Sequence, residues 1–309
     1  MERKILLALD DSPRSSHSLQ YICSLFADVP DIYFHLFSSA ACQALPIGKE
    51  WLTAEELNEA LPPAEKKRLQ AFNSHLQEAA RILSKHGIAR ERITTEVEFS
   101  DAGVARDIIH NACKGYYDAM LICRRGIGKI EELITGSVSS KVLDKCHTVP
   151  IWILDGSVTS TKILLAVDGS TYSLRAADHL AFIMRNNPHA EITLLHCPSL
   201  FPQKKNADLE EFYPEWGKKW CDRFLTGEDS LFTGPEQLLY ENGIPRNHLK
   251  RLFVESIDPS RQIIRQALLS DYGTIVIGRR DRSAKKGLFG GVSDRVLTMA
   301  KDVAVWIVG

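Results

Sequence analysis

The feature that most constrains this chain is that it says the same thing twice. Residues 4–10, KILLALD, return 158 residues later as KILLAVD at 162–168. The stretch KHGI at 85–88 is echoed by ENGI at 241–244, DAMLICRR at 118–125 by GTIVIGRR at 273–280, and VPIW at 149–152 by VAVW at 303–306. Four matches in the same order, with a spacing that drifts slowly, indicate one domain duplicated in tandem and separated since by small insertions and deletions. The stretch 155–161 is short and rich in Gly, Ser and Thr, which suits a linker. The expected domains are 1–156 and 157–309.

Each copy alternates strand and helix. Residues 5–9 are a continuous apolar run, the pattern of a parallel strand covered on both faces. Residues 15–26 place Leu19, Ile22, Cys23 and Phe26 at helical spacing. A strand at 32–37 follows, then a long amphipathic helix at 64–85 stopped by Gly87. The pattern continues with a strand at 93–99, a helix at 104–112, a strand at 119–123, a helix at 137–146 and a strand at 150–154. The second half gives the same order at 163–167, 173–184, 192–197, 249–254, 259–270, 274–278, 293–300 and 304–308. Its stretch 201–235 is the least regular and reads as an elaborated connection, a lid or an interface. Its aromatics Phe212, Tyr213, Trp216 and Trp220 suit internal packing better than a partner surface. Five strands alternating with helices imply an α/β fold of two doubly wound, Rossmann-like parallel-sheet domains.

Composition narrows the function. Lys and Arg number 38 against 39 Asp and Glu, a net charge of −1, which gives no support to nucleic-acid binding. The seven cysteines, at 23, 42, 113, 123, 146, 197 and 221, form neither a C-x-x-C nor a zinc spacing, so reduced thiols in a cytoplasmic protein are expected. No apolar run approaches the ~18 residues of a membrane span, and the N-terminus lacks a signal-peptide pattern.

In an open α/β sheet, ligands collect beyond the carboxyl ends of the strands, where strand order reverses. Two loops should meet there in each copy. After the first strand come Asp10 and Asp168, which either contact a ligand or close a turn at the following helix. After the fourth strand comes a glycine-bearing loop, whose backbone N–H groups can approach phosphate. His35 and His196, near the ends of the second strands, are expected to be packed or hydrogen-bonded rather than catalytic. Cys123 beside Arg124 and Arg125 has a redox-sensor alternative, but a buried inert thiol is favoured. There is no P-loop and no nucleophile elbow, and no convincing base for an attacking water.

At these residues the chain resembles the universal stress proteins in their tandem two-domain form, over essentially its whole length. Their signature is Gly-x2-Gly-x9-Gly-(Ser/Thr), continued by Val-Ser and a helix. The resemblance implies an adenine-nucleotide alpha-hydrolase-like fold and a loop that wraps the ribose and phosphates of ATP, with magnesium accompanying the triphosphate. In the first copy Gly126, Gly136, Ser137 and Ser139 keep their places and Cys123 replaces the leading glycine. In the second, Gly278, Gly290, Gly291 and Ser293 remain. There Asp281 replaces the second glycine, the spacer is one residue shorter, and Gly291 stands where Ser or Thr is usual. A carboxylate beside polyphosphate repels it, so the first copy is the expected site of ATP or another adenine nucleotide, with at most slow hydrolysis. The alternative is a nucleotide-independent interaction module with two relict pockets. The family dimerises through its fifth strands, so 150–154 and 304–308 should pair within the chain as an internal pseudo-dimer, with Trp152 and Trp306 near its axis. A homodimer of whole chains remains open.

Overall fold

A computed structural model describes residues 2–10, 12, 14–41, 48, 51–100, 103–124, 138–198, 208–280 and 291–309. The chain divides into two compact units, one of Met1–Cys23 and Pro30–Val149, the other of Ser24–Val29 and Pro150–Gly309.

In the first unit, β1 (Arg3–Ala8), β2 (Ile32–Ala41), β3 (Ile93–Ser100) and β4 (Ala119–Cys123) form parallel pairs in the order β3-β2-β1-β4. Ile5, Leu6 and Leu7 are all fully buried although successive side chains point to opposite faces. Both faces of β1 are therefore covered, as its unbroken apolar run requires. The helices are α1 (Ser15–Phe26), α2 (Ala54–Ala60), α3 (Pro63–Lys85), α4 (Val104–Lys114) and α5 (Val138–Lys145). On α3, Leu76, Ala79, Ala80 and Leu83 make the buried stripe. Helix α2 was not anticipated. Its signal is Thr53-x-x-Glu56, a capping box in which Thr53 Oγ1 accepts from Glu56 N at 3.2 Å and Thr53 N donates to the Glu56 carboxylate at 2.8 Å. Strands β2 and β3 run longer than expected, to Ala41 and Ser100. Ala40 and Phe99 close a small satellite core there with Leu61, Leu69 and Phe72.

In the second unit the order is β5-β10-β9-β6-β7-β8, built from β5 (Ile151–Leu154), β6 (Lys162–Ala166), β7 (Glu191–His196), β8 (Leu249–Phe253), β9 (Thr274–Gly278) and β10 (Ala304–Val308). Strands β6 to β10 pair in parallel, whereas β5 joins β10 antiparallel with Trp152 opposite Trp306. The expected pairing of these two strands is present. The indoles, both fully buried, stack with centroids 3.8 Å apart and planes 2° from parallel, and Phe26 stacks on Trp152 at 6.1 Å. Such aromatic pairs contribute about 0.5–1.5 kcal/mol beyond the area they bury.

Helices α6 (Thr171–Ile183), α10 (Pro259–Leu269) and α11 (Val292–Met299) fall close to their expected places. The elaborated connection does not. Residues 201–207 lie outside the described residues, but beyond them come a short 3-10 turn at Leu209–Phe212, α7 (Tyr213–Trp216), α8 (Lys218–Phe224) and α9 (Ser230–Glu241). Gly234 and Pro235, which read as breakers, are buried inside α9. A Cβ on Gly234 would come within 2.4 Å of the Leu225 side chain, so glycine here lets α8 and α9 close on each other. Of the aromatics only Phe212 is buried, tilted against half-exposed Trp216 at 5.9 Å, while Trp220, also half-exposed, packs on Phe224 at 5.2 Å. No helix among the described residues is long and apolar enough to cross a membrane.

Candidate functional site

In each unit the chain winds outward from its first strand and then crosses back to that strand's other side. Strand order therefore reverses between β1 and β4 in the first unit and between β6 and β9 in the second. A crevice at the carboxyl ends of such a pair is where this architecture places ligands. Asp10 and Cys123 flank the first reversal; Asp168 and Gly278 flank the second.

The second reversal is built from Asp168 upward. Gly169 adopts φ +74, a left-handed conformation that bends the chain away from β6. The bend brings Ser170 back to Asp168, whose Oδ1 accepts from Ser170 N at 3.0 Å and Ser170 Oγ at 2.5 Å. Ser170 then caps α6 by accepting from Ser173 N at 3.2 Å, and Ser173 Oγ donates to the Ser170 carbonyl at 3.0 Å. Asp168 thus closes the turn that holds the cap rather than capping the helix itself. Its other oxygen has no hydrogen-bond partner among the described residues.

The first unit repeats the aspartate–serine turn, with Ser15 reaching back to Asp10 where Ser173 reaches only to Ser170. Asp10 Oδ1 accepts from Ser12 N at 3.2 Å and Ser12 Oγ at 2.5 Å, while Ser15 Oγ donates to the Asp10 carbonyl at 2.6 Å. Ser15 and Ser173 were missed as parts of the loop, although the shared pattern Asp-x-Ser-x-x-Ser at 10–15 and 168–173 signals them.

The leading position of the glycine signature has a packing role in both units. A Cβ built on Gly278 would lie 2.3 Å from the Tyr172 carbonyl oxygen and 2.9 Å from Ser173 N, both backbone atoms of α6. The equivalent place in the first unit holds Cys123. Its thiol donates to the Arg14 carbonyl at 3.4 Å, the counterpart of Tyr172, and lies 2.9 Å from Ser18 Oγ. Burial raises the Cys123 thiol above its ordinary range, only partly offset by the Ser18 hydrogen bond. This environment suits an inert packed cysteine rather than a reactive one.

The trailing residues differ from the leading ones. Gly291 (φ −59) precedes α11, and among the described residues a Cβ there would meet only Ser293 Oγ, at 3.9 Å. Packing therefore does not demand glycine at 291. Ser139 and Ser293 are buried in the first turns of α5 and α11. Arg295 of α11 forms an ion pair with Asp258, whose Oδ1 also caps α10 by accepting from Ser260 N at 3.1 Å. Gly126, Gly136, Ser137 and Gly290, and with them Asp281, lie outside the described residues. Among the described residues no three His, Cys, Asp or Glu side chains gather as metal ligands.

Both histidines are engaged as expected. His35 contacts Thr94 Oγ1 at 2.8 Å and the Glu96 carboxylate at 3.1 Å, and holds Glu96 below the usual carboxylate range. His196 Nδ1 donates to the Val167 carbonyl at 2.7 Å, with its ring tilted against Phe253.

Residues 159–308 match the model of the Universal stress protein family. No curated protein matches the chain in sequence. Among solved structures, a universal stress protein from Archaeoglobus fulgidus DSM 4304 is similar over 99% of this chain and 95% of its own, with a TM-score of 0.62 and 20% identity. A functionally unknown protein from Pseudomonas aeruginosa PAO1 is similar over 99% and 92%, with a TM-score of 0.58 and 17% identity. At these identities the likeness is one of fold.

Proposed function

Since residues 159–308 belong to the universal stress protein family, we propose that the chain is a tandem universal stress protein, with domains 1–156 and 157–309, that binds an adenine nucleotide. The observation that carries this reading is the pair of strand-order reversals, each flanked by an aspartate fixed in a serine turn and by the first residue of the glycine signature. An aspartate held in this way presents a preset acceptor for a ribose hydroxyl or base amine. In the second unit, the uncommitted oxygen of Asp168 fits that role.

The favoured ligand is ATP with magnesium, bound mainly by the first domain through Gly126, Gly136 and Ser137. The sequence offers no convincing base for an attacking water, so the output is conformational, with slow turnover at most. The cytoplasm and an internal pseudo-dimer through β5 and β10 belong to the same reading. The test is calorimetric titration of magnesium ATP into full-length protein stripped of nucleotide. One site of micromolar order, abolished by Gly136→Ala, is expected; two equal sites would refute the preference for the first domain.

A second reading, a nucleotide-independent interaction module, draws on one specific observation. The leading signature position is used for packing in both units, by Tyr172 closing on Gly278 and by the Cys123 thiol contacting Arg14 and Ser18. Absence of heat, with no retention of nucleotide in equilibrium dialysis, would select this reading.

A further inference from the structure

The second unit holds a concavity that takes no part in the glycine loops. It is an open cleft of about 420 Å³ laid along one stripe of α6, formed by Arg175, Asp178, His179, Phe182 and Arg185, with Asn242 and Gly309 completing the lining. That volume falls within the range of small-molecule sites.

Its floor contains a donor whose orientation is fixed. An indole N–H can only donate. His179 Nε2, 3.3 Å from Trp152 Nε1, therefore accepts, and the proton of the neutral imidazole resides on Nδ1. Burial keeps that ring neutral, with its pKa pushed down to about 3. The ring stands edge-on to Trp152 at 6.1 Å and to Trp306 at 6.0 Å. Nδ1–H has no partner among the described residues.

The neighbouring groups decide what that donor can receive. Asp178, adjacent in sequence, makes no hydrogen bond or ion pair with the described residues, and burial together with the Glu215 carboxylate raises its carboxyl above the usual range. Arg175 is held by Glu215 through Nε at 2.7 and 2.9 Å. Arg185 donates to Asn242 Oδ1 at 3.0 and 2.8 Å and lies over the Phe182 ring at 5.6 Å. The lining carries both signs, Asp178 against Arg175 and Arg185, so neither a simple anion nor a simple cation matches all of it. An uncharged apolar molecule would leave both Asp178 and the imidazole N–H unanswered. A small zwitterion satisfies both: its carboxylate accepts from His179 Nδ1–H, its ammonium faces Asp178, and its apolar substituent lies on Phe182.

We propose that this cleft binds a small zwitterion of the free α-amino acid class. The site is independent of nucleotide binding, so either can fail without the other.

The test is titration of L-phenylalanine and L-leucine into the full-length protein, followed by tryptophan emission and calorimetry. A saturable emission change is expected because His179 touches both buried indoles. N-acetylphenylalanine amide, which keeps the ring and loses both charges, should produce none. Asp178→Asn should weaken binding about tenfold or more and should not lower the unfolding midpoint, since burial and Glu215 already disfavour the charge it removes. Arg185→Met serves as the second variant and should also weaken binding, since it removes one of the two cations of the lining. Absence of saturable heat and emission with both amino acids overturns the proposal. So does equal binding of the amide, or unchanged binding by Asp178→Asn.

Discussion

Replacing Gly278 by alanine separates packing from ligand binding within the signature. The new methyl carbon would sit 2.3 Å from the Tyr172 oxygen and 2.4 Å from its carbonyl carbon. These are backbone atoms in the first turn of α6, so no rotamer change relieves the clash; the whole end of α6 must withdraw by about 1 Å. Overpacking of this kind costs about 1–3 kcal/mol, and a rigid backbone obstacle places it at the upper end. At about 2–4 °C per kcal/mol for a folding unit of this size, Tm should fall by about 6–12 °C. Gly291→Ala is the internal control, because among the described residues its methyl meets nothing closer than 3.9 Å and its φ of −59 suits any residue. It should stay within about 0.5 kcal/mol of wild type. Thermal and urea unfolding of both variants, followed by circular dichroism, provides the comparison. If Gly278→Ala unfolds like wild type, or Gly291→Ala loses as much, the packing account of the leading glycine is wrong.

Three further outcomes are expected. His179 has its folded pKa lowered to about 3 from 6.5, so as pH falls the unfolded chain takes the proton first. Its contribution is complete above pH 6.5 and is lost on descent toward pH 3, with a ceiling of about 5 kcal/mol that the cleft's access to solvent reduces. His179→Phe should flatten that acid limb in urea titrations, and an unchanged limb would exclude His179 as its source. Alkylation at neutral pH should label exposed Cys113 well before Cys23 and Cys197, whose thiols burial pushes up to about 11; mass spectrometry of the modified peptides would show a contrary order. Trp306→Ala removes one member of the indole stack and should cost about 3–5 kcal/mol, with loss of the near-ultraviolet dichroism of the stacked pair.

The strands were legible because burial on both faces leaves continuous apolar runs such as Ile5–Leu6–Leu7 and Ile275–Val276–Ile277. The repeated stretches, KILLALD and KILLAVD among them, then carried the reading of the first half over to the second. The α8–α9 region was illegible because Gly234 and Pro235 carry breaker identity, while a tertiary contact with Leu225 makes a small residue useful inside the helix. At the site, the aspartates and the signature were visible, but the use of its first position was not. Spacing alone shows that glycine is required at 278, not whether phosphate or the Tyr172 carbonyl requires it. His179 was invisible for a related reason: one histidine in an apolar helix face acquires meaning only when Trp152 and Trp306 are brought together from distant strands.

The assignment of β5 has a consequence for synthesis and evolution. Residues 150–154 end the first sequence repeat, yet they cluster with the second unit, as do residues 24–29 at the end of α1. No single cleavage yields both units intact. A fragment beginning at residue 157 would lack the partner of β10 and leave Trp306 without its stacked indole; such a fragment should recruit a second copy of itself through that bare edge. On the ribosome, 24–29 emerges more than a hundred residues before the unit it completes. The terminal turn of α1 must therefore wait for residues made more than a hundred positions later.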